Sequence, residues 1–144
     1  MIVDQIIKYY NAATRNITLF GGLTLNGPLV GSGAASGPLA VIVYGVSFAP
    51  NAAAGNYQVV TITDGVAFAI AAPTNPPATG AMRLSITFRN ASGGAAGAGT
   101  FNVIYKMTSN TLAVIANGFS RTYEFQWNGV NWVEVFETAA DVAN

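Results

Sequence analysis

Met82-Arg-Leu-Ser-Ile-Thr-Phe88 alternates apolar and polar residues without interruption. Met82, Leu84, Ile86 and Phe88 point to one side and Arg83, Ser85 and Thr87 to the other, the period of two that a strand shows when its sheet buries one face. Outward from this stretch, short runs rich in β-branched and aromatic residues occupy 17–20, 39–48, 57–63, 66–71, 101–106, 112–115, 121–127 and 131–137. Clusters of Gly, Pro, Asn and Ala divide them, notably 31–37, 73–77 and 91–99. The pattern predicts an all-β fold, a single-domain β-sandwich or jelly-roll-like barrel of about eight strands.

The N-terminus departs from this period. Ile2, Val3, Ile6, Ile7 and Tyr10 recur at three- and four-residue spacing, which predicts a short helix or arm over 1–16 ahead of a sandwich over 17–144. So short a helix is marginal alone in water and must dock on its own domain or on a neighbouring subunit, which makes Ile6 and Tyr10 candidate contact residues.

Composition narrows the function classes. The chain has 144 residues, enough for one core without staples, and it has no cysteine. Lys plus Arg number 6 and Asp plus Glu 6, so charged residues make up 8 % and the formal net charge is zero. An ordinary soluble domain carries about 25 %. No charge falls between Arg15 and Asp64. A surface so poor in charge does little to keep copies apart, which points to a subunit of an assembly. The scattered Lys and Arg form no basic stripe, so nucleic acid is not expected as a direct partner. The longest strongly apolar run, 39–49, is about half the roughly 20 residues that cross a bilayer, and Asp4 and Lys8 interrupt the first apolar stretch, so neither a membrane span nor a secretory leader is expected.

The chain also lacks histidine, and with it the commonest general base and zinc ligand; without cysteine the best nucleophile is gone too. Lys8 and Lys106 sit in no nucleophile motif, and the glycine-rich stretch ending at Gly99 is not followed by the Lys-Ser or Lys-Thr of a phosphate-binding loop. Paired carboxylates remain, because glycoside hydrolysis needs two acids across a cleft. Glu124 and Glu134 flank Asn128-Gly129, a hairpin-forming dipeptide. A two-residue turn puts the two glutamates on opposite faces. A three-residue turn sets them opposite each other beside Trp132, with Tyr123, Phe125, Val133 and Val135 on the other face; this register gives the cleaner apolar side. Even so, two facing glutamates read as solvated, or bridged by Arg121. Trp127 and Trp132 could stack on a sugar if exposed, or pack into a core or an inter-subunit seam. Asn16-Ile-Thr18 and Asn90-Ala-Ser92 match the glycosylation sequon, a pattern too short to carry weight. No catalytic residue, metal or cofactor is expected.

A set of ordered motifs covers about the second half of the chain: Ala72-Pro-Thr-Asn-Pro76, Leu84-Ser-Ile-Thr-Phe-Arg-Asn90, Ser92-Gly-Gly94, Tyr105-Lys-Met107, Ala116-Asn-Gly-Phe-Ser-Arg121, Phe125-Gln-Trp-Asn-Gly-Val-Asn-Trp132 and Ala140-Asp-Val142. In order and spacing they resemble a β-domain of tailed-bacteriophage virion proteins, both capsid-surface and tail-fibre-associated. The resemblance implies a virion component, often trimeric, without an assigned catalytic residue. Together with the composition it leads to the expectation of a non-enzymatic capsid decoration or cement subunit on the particle surface, self-associating as a homotrimer and contacting the major capsid protein. The alternative is a tail-associated adhesin or fibre module that binds host carbohydrate. Trp127, Trp132, Tyr123, Ile6 and Tyr10 are the candidate interaction residues.

Overall fold

The structure, a computed structural model, describes residues 9–11, 16–18, 39–78 and 81–144, the first two segments in backbone only. The chain divides into two compact units, Met1–Ala35 and Ser36–Asn144. In the first, β1 (Tyr9–Asn11) pairs antiparallel with β2 (Asn16–Thr18), so that Tyr10 lies opposite Ile17. Of the expected helix or arm over 1–16, Tyr10 is therefore on a strand and not on a helix; consecutive aromatics favour extended backbone, and the strand pairing satisfies hydrogen bonds that so short a helix holds poorly. The rest of that expected helix, including Ile6, lies outside the described residues.

The second unit is an all-β sandwich. Its strands are β3 (Ala40–Ile42), β4 (Ser47–Phe48), β5 (Tyr57–Ile62), β6 (Phe68–Ile70), β7 (Arg83–Asn90), β8 (Gly99–Phe101), β9 (Tyr105–Lys106), β10 (Thr111–Leu112), β11 (Phe119–Trp127), β12 (Trp132–Glu137) and β13 (Val142–Ala143). One sheet has the order β3-β5-β7-β11-β12-β9, with β13 also paired to β11; the other has the order β10-β8-β6-β4. From β3 to β10 the chain alternates strictly between the two sheets.

Through β8 this alternation makes neighbouring strands parallel, whereas β10 closes antiparallel on β8. β3, β5 and β7 pair in parallel in one sheet, and β4, β6 and β8 in the other. Parallel neighbours need a long crossover, commonly a helix; here the crossover is the strand in the facing sheet. The chain thus winds as successive coils, and equivalent positions stack: Ile42, Val60 and Phe88 on one sheet, Phe48, Ile70 and Phe101 on the other, all buried. A jelly roll, by contrast, is antiparallel. The runs at 39–48 and 101–106 are accordingly two strands each, because the chain changes sheet inside them. At the second change, Asn102 makes the corner: its Oδ1 accepts from Ile104 N at 3.0 Å and its carbonyl from Tyr105 N at 3.0 Å.

The alternation read at 82–88 holds. Leu84, Ile86 and Phe88 are fully buried and Met82 half-buried, while on the other face Arg83 is exposed, Thr87 half-buried and Ser85 buried, so that this face is covered in part as well. β7 pairs in parallel with β5 and antiparallel with β11, so it is where the wound part of the fold meets the closing β11–β12 hairpin. Between the sheets, Phe101 of β8 packs on Phe88, Tyr123 and Phe125 of the facing sheet at 5.8, 5.3 and 5.8 Å between ring centroids. Each such pair adds about 0.5–1.5 kcal/mol beyond the area it buries.

Close coil stacking explains two of the small residues at 91–99. A Cβ on Gly99 would come within 2.7 Å of the Phe68 ring, and one on Gly97 within 1.9 Å of the Val66 carbonyl oxygen. The second obstacle is backbone and cannot rotate away. Gly94 has open space around it. Gly97→Ala is therefore expected to lower the unfolding free energy by more than about 2 kcal/mol and Gly94→Ala by less than about 0.5 kcal/mol, compared by urea denaturation; equal losses would show that the close approach does not govern stability.

Candidate interaction surface

The β11–β12 hairpin holds three of the expected contact residues. Trp127 lies directly opposite Trp132, leaving a four-residue turn at 128–131 instead of two or three. Asn128 builds it: its Oδ1 accepts from Val130 N at 3.0 Å and Asn131 N at 2.8 Å, while its own N–H donates to the Asn131 carbonyl at 3.1 Å. This register puts both tryptophans on the buried face, with ring centroids 5.2 Å apart. Trp132 is fully buried, Trp127 is 7 % exposed and Tyr123 is 1 % exposed. These three side chains belong to the core and present no contact surface. The side chains of Tyr10 and Ile6 are not among those described.

The carboxylates do not form a pair. The register shifts between Glu124 and Phe125, so Glu124 faces Phe136 and Glu134 faces Phe125. Glu124 lines a small depression with Asn56, Tyr57, Arg83 and Ser85. Glu134 lines another, an open groove of about 550 Å³ shared with Lys106, Met107 and Thr108. Both charged groups of that groove also engage the backbone: Lys106 Nζ donates to the Val103 carbonyl at 2.9 Å, and Glu134 Oε2 accepts from Thr108 N at 3.3 Å. No group of three or more metal-ligating side chains occurs among the described residues. Asn90 of the second sequon is fully buried; its Nδ2 donates to the carbonyls of Gly94 and Ile115 at 2.8 and 2.7 Å, and its Oδ1 accepts from Ser92 N at 2.9 Å.

Arg121 turns to the C-terminal segment rather than to Glu124 or Glu134. Its Nε meets Asp141 Oδ1 at 2.6 Å and its Nη1 meets Glu137 Oε1 at 3.3 Å. Asp141 Oδ2 also accepts from Ala116 N at 2.9 Å, and Tyr123 OH donates to Glu137 Oε1 at 2.7 Å. The motifs at 84–90, 92–94, 116–121 and 140–142 thus meet in one network, in which Asn117 Oδ1 accepts from Gly93 N at 2.9 Å and β13 pairs with the start of β11.

Exposed apolar side chains occur on the hairpin, at Val130, Val135 and Phe136, and also in a second group at a sheet edge that sequence reading missed. Along β3 and its flanks, Leu39, Val41 and Val43 are 59, 74 and 85 % exposed while Ile42 points into the core. β3 is an edge strand of its sheet, paired only with β5 among the described residues. Natural edge strands commonly carry a charge, often lysine, that discourages further pairing. This one lies within the charge-free segment between Arg15 and Asp64. The available signal was the run Leu39-Ala-Val-Ile-Val43, apolar on both sides of its period, which reads equally as a doubly buried strand.

The first charge after that segment serves the fold. Asp64 Oδ1 accepts from Tyr44 OH at 2.7 Å and from Val66 N at 2.9 Å, and these bonds hold its carboxyl below the usual range. Asp141 is held low as well, by the Ala116 N–H and then by Arg121. In the other direction, burial and then the Glu137 hydrogen bond push the Tyr123 phenol up to about 12, and burial raises Tyr105.

No family model matches the chain, no curated protein matches it in sequence, and no solved structure matches it in fold at a significant level.

The titrating groups set the pH dependence. A carboxylate with a lowered folded pKa contributes stability that is present above its unfolded value of about 4 and lost as pH falls through the folded one. A phenol with a raised folded pKa contributes below about 10 and loses that contribution as pH rises further. With no His and no Cys, the thermal midpoint is expected to stay level between about pH 5 and 9 and to fall on both sides. Asp141→Asn should lower the plateau and flatten the acid limb; a mutant with an unchanged acid limb would remove Asp141 from this account.

Proposed function

We propose that this chain is a non-enzymatic virion structural protein, a capsid decoration or cement subunit that bridges shell proteins and stabilises the particle. The observation that carries the reading is the uncharged, exposed apolar edge at β3, in a chain with 8 % charged residues. Such an edge, paired on one side only among the described residues, offers backbone donors and acceptors together with apolar side chains, the two elements of strand addition by a neighbour. A subunit that binds the assembled shell and not its dissociated proteins shifts the equilibrium toward assembly by mass action. The resemblance of the second half to phage virion β-domains supports the same reading, and favours a homotrimer seated on the major capsid protein. The alternative, a module that binds carbohydrate through exposed aromatics and loop amides, loses Trp127 and Trp132 as stacking candidates because both are buried.

The deciding experiment is the copy number of the chain relative to the major shell protein in purified particles of its parent virus, by quantitative mass spectrometry. A number comparable to the shell protein is expected; a few copies per particle would move the chain to the tail, and absence would remove the virion reading.

A second test addresses the mechanism. Binding through backbone and apolar contacts is expected to change little between about 50 mM and 500 mM salt, because few ion pairs are available to screen. Val41→Lys, at an exposed position, should leave folding intact and weaken particle binding at least about tenfold by adding a charge to the edge strand. Dissociation by moderate salt, or full binding by the lysine variant, would contradict the proposed contact.

A further inference from the structure

Asn128 and Gly129 form the exposed tip of the β11–β12 hairpin. The two backbone N–H groups on Asn128 Oδ1, from Val130 at 3.0 Å and Asn131 at 2.8 Å, do more than shape the turn. They withdraw electron density from Cγ and already point at the oxygen that would become negative if Cγ were attacked, the arrangement of an oxyanion hole. The nucleophile is built into the chain: the backbone nitrogen of the next residue closes a five-membered ring on Cγ. Here that residue is glycine, with no side chain to obstruct the approach, and its N–H donates to no acceptor among the described residues.

A second Asn-Gly pair in the same unit provides the comparison. Asn117 and Gly118 are also exposed, and Gly118 also has a positive φ, of 79°, against 96° at Gly129. Their hydrogen bonding differs. Gly118 N donates to the Asn90 carbonyl at 2.9 Å, and the Gly118 carbonyl accepts from Asn144 N at 3.0 Å, so the would-be nucleophile is engaged and its turn tied down. Asn117 Oδ1 accepts a single N–H, from Gly93 at 2.9 Å.

We propose that Asn128 is a site of self-modification, converting to aspartyl and isoaspartyl residues in the folded protein while Asn117 is protected. Hydroxide takes the Gly129 amide proton, and the nitrogen attacks Asn128 Cγ. The N–Cγ bond forms, the Cγ–Nδ2 bond breaks, and ammonia leaves with a proton from water, closing a succinimide. Water then adds to either ring carbonyl and opens it, giving aspartate or isoaspartate. The product carries one more negative charge on a chain of formal net charge zero. The isoaspartyl form also inserts a methylene into the turn that sets the Trp127–Trp132 pairing.

The test is to hold the purified chain at mildly alkaline pH and follow the peptides carrying positions 117 and 128 by mass spectrometry, separating the aspartyl from the isoaspartyl products. The same time course in urea gives the intrinsic rates of the unfolded chain. In the folded protein position 128 is expected to convert at least about tenfold faster than 117, with the two rates drawing together in urea, and Asn128→Gln should abolish the faster conversion. A folded-state ratio equal to that in urea, conversion at 117 as fast as at 128, or an intact Asn128 would each overturn the proposal.

Discussion

The two sheets of the second unit meet in an aromatic seam centred on Phe101. This residue sits on β8, in the smaller sheet, and its ring contacts Phe88, Tyr123 and Phe125 from the larger one, as well as Tyr105 at 5.2 Å on the next strand of the chain. Strands as short as Ser47–Phe48 or Thr111–Leu112 make few ladder hydrogen bonds, so the smaller sheet depends on side chains delivered across the interface. Apolar burial is the dominant favourable term in folding, and aromatic rings bring the most of it per residue. The tight approaches at Gly97 and Gly99 follow from the same packing, because the coils close on one another only where no side chain intervenes.

Winding between two sheets also decides where the molecule has edges. A closed barrel would have none, whereas among the described residues each sheet ends in a short strand: β3 and β9 on the larger, β4 and β10 on the smaller. The charges are unevenly distributed over this frame. Arg121, Glu137 and Asp141 gather where the C-terminal segment is fastened to β11, and Lys106 and Glu134 line the groove beside β9. β3, at the opposite edge, has none in its segment. The interaction reading rests on that asymmetry rather than on any cleft, and the chemistry-bearing side chains of the second unit largely serve its own fold.

Much of the secondary structure was legible because it depends on local alternation. The stretch 82–88 shows its period without help, and Asn128-Gly129 marks its hairpin. The register of that hairpin was not legible: the side chain of Asn128 replaces a backbone acceptor and lengthens the turn to four residues, and the irregularity between Glu124 and Phe125 then uncouples the glutamates. One residue of register decides which face a strand buries, so the same unknown moved Trp127 and Trp132 from a candidate surface into the core. The coils left no visible repeat, because the stacked positions 42, 60 and 88, and 48, 70 and 101, are unequally spaced along the chain.

By itself the sequence determined an all-β architecture, the absence of histidine and cysteine chemistry, and a charge-free segment from 16 to 63. Each is a matter of composition or of period, and needs no knowledge of what lies opposite a residue. The tertiary structure alone decided that β3, β5 and β7, and β4, β6 and β8, pair in parallel, that the runs at 39–48 and 101–106 divide between sheets, and that Leu39, Val41 and Val43 face outward from an edge. The physical reason is that an apolar strand is compatible with burial on either or both faces, and only the partner across the sheet, contributed by residues far away in the chain, selects among these.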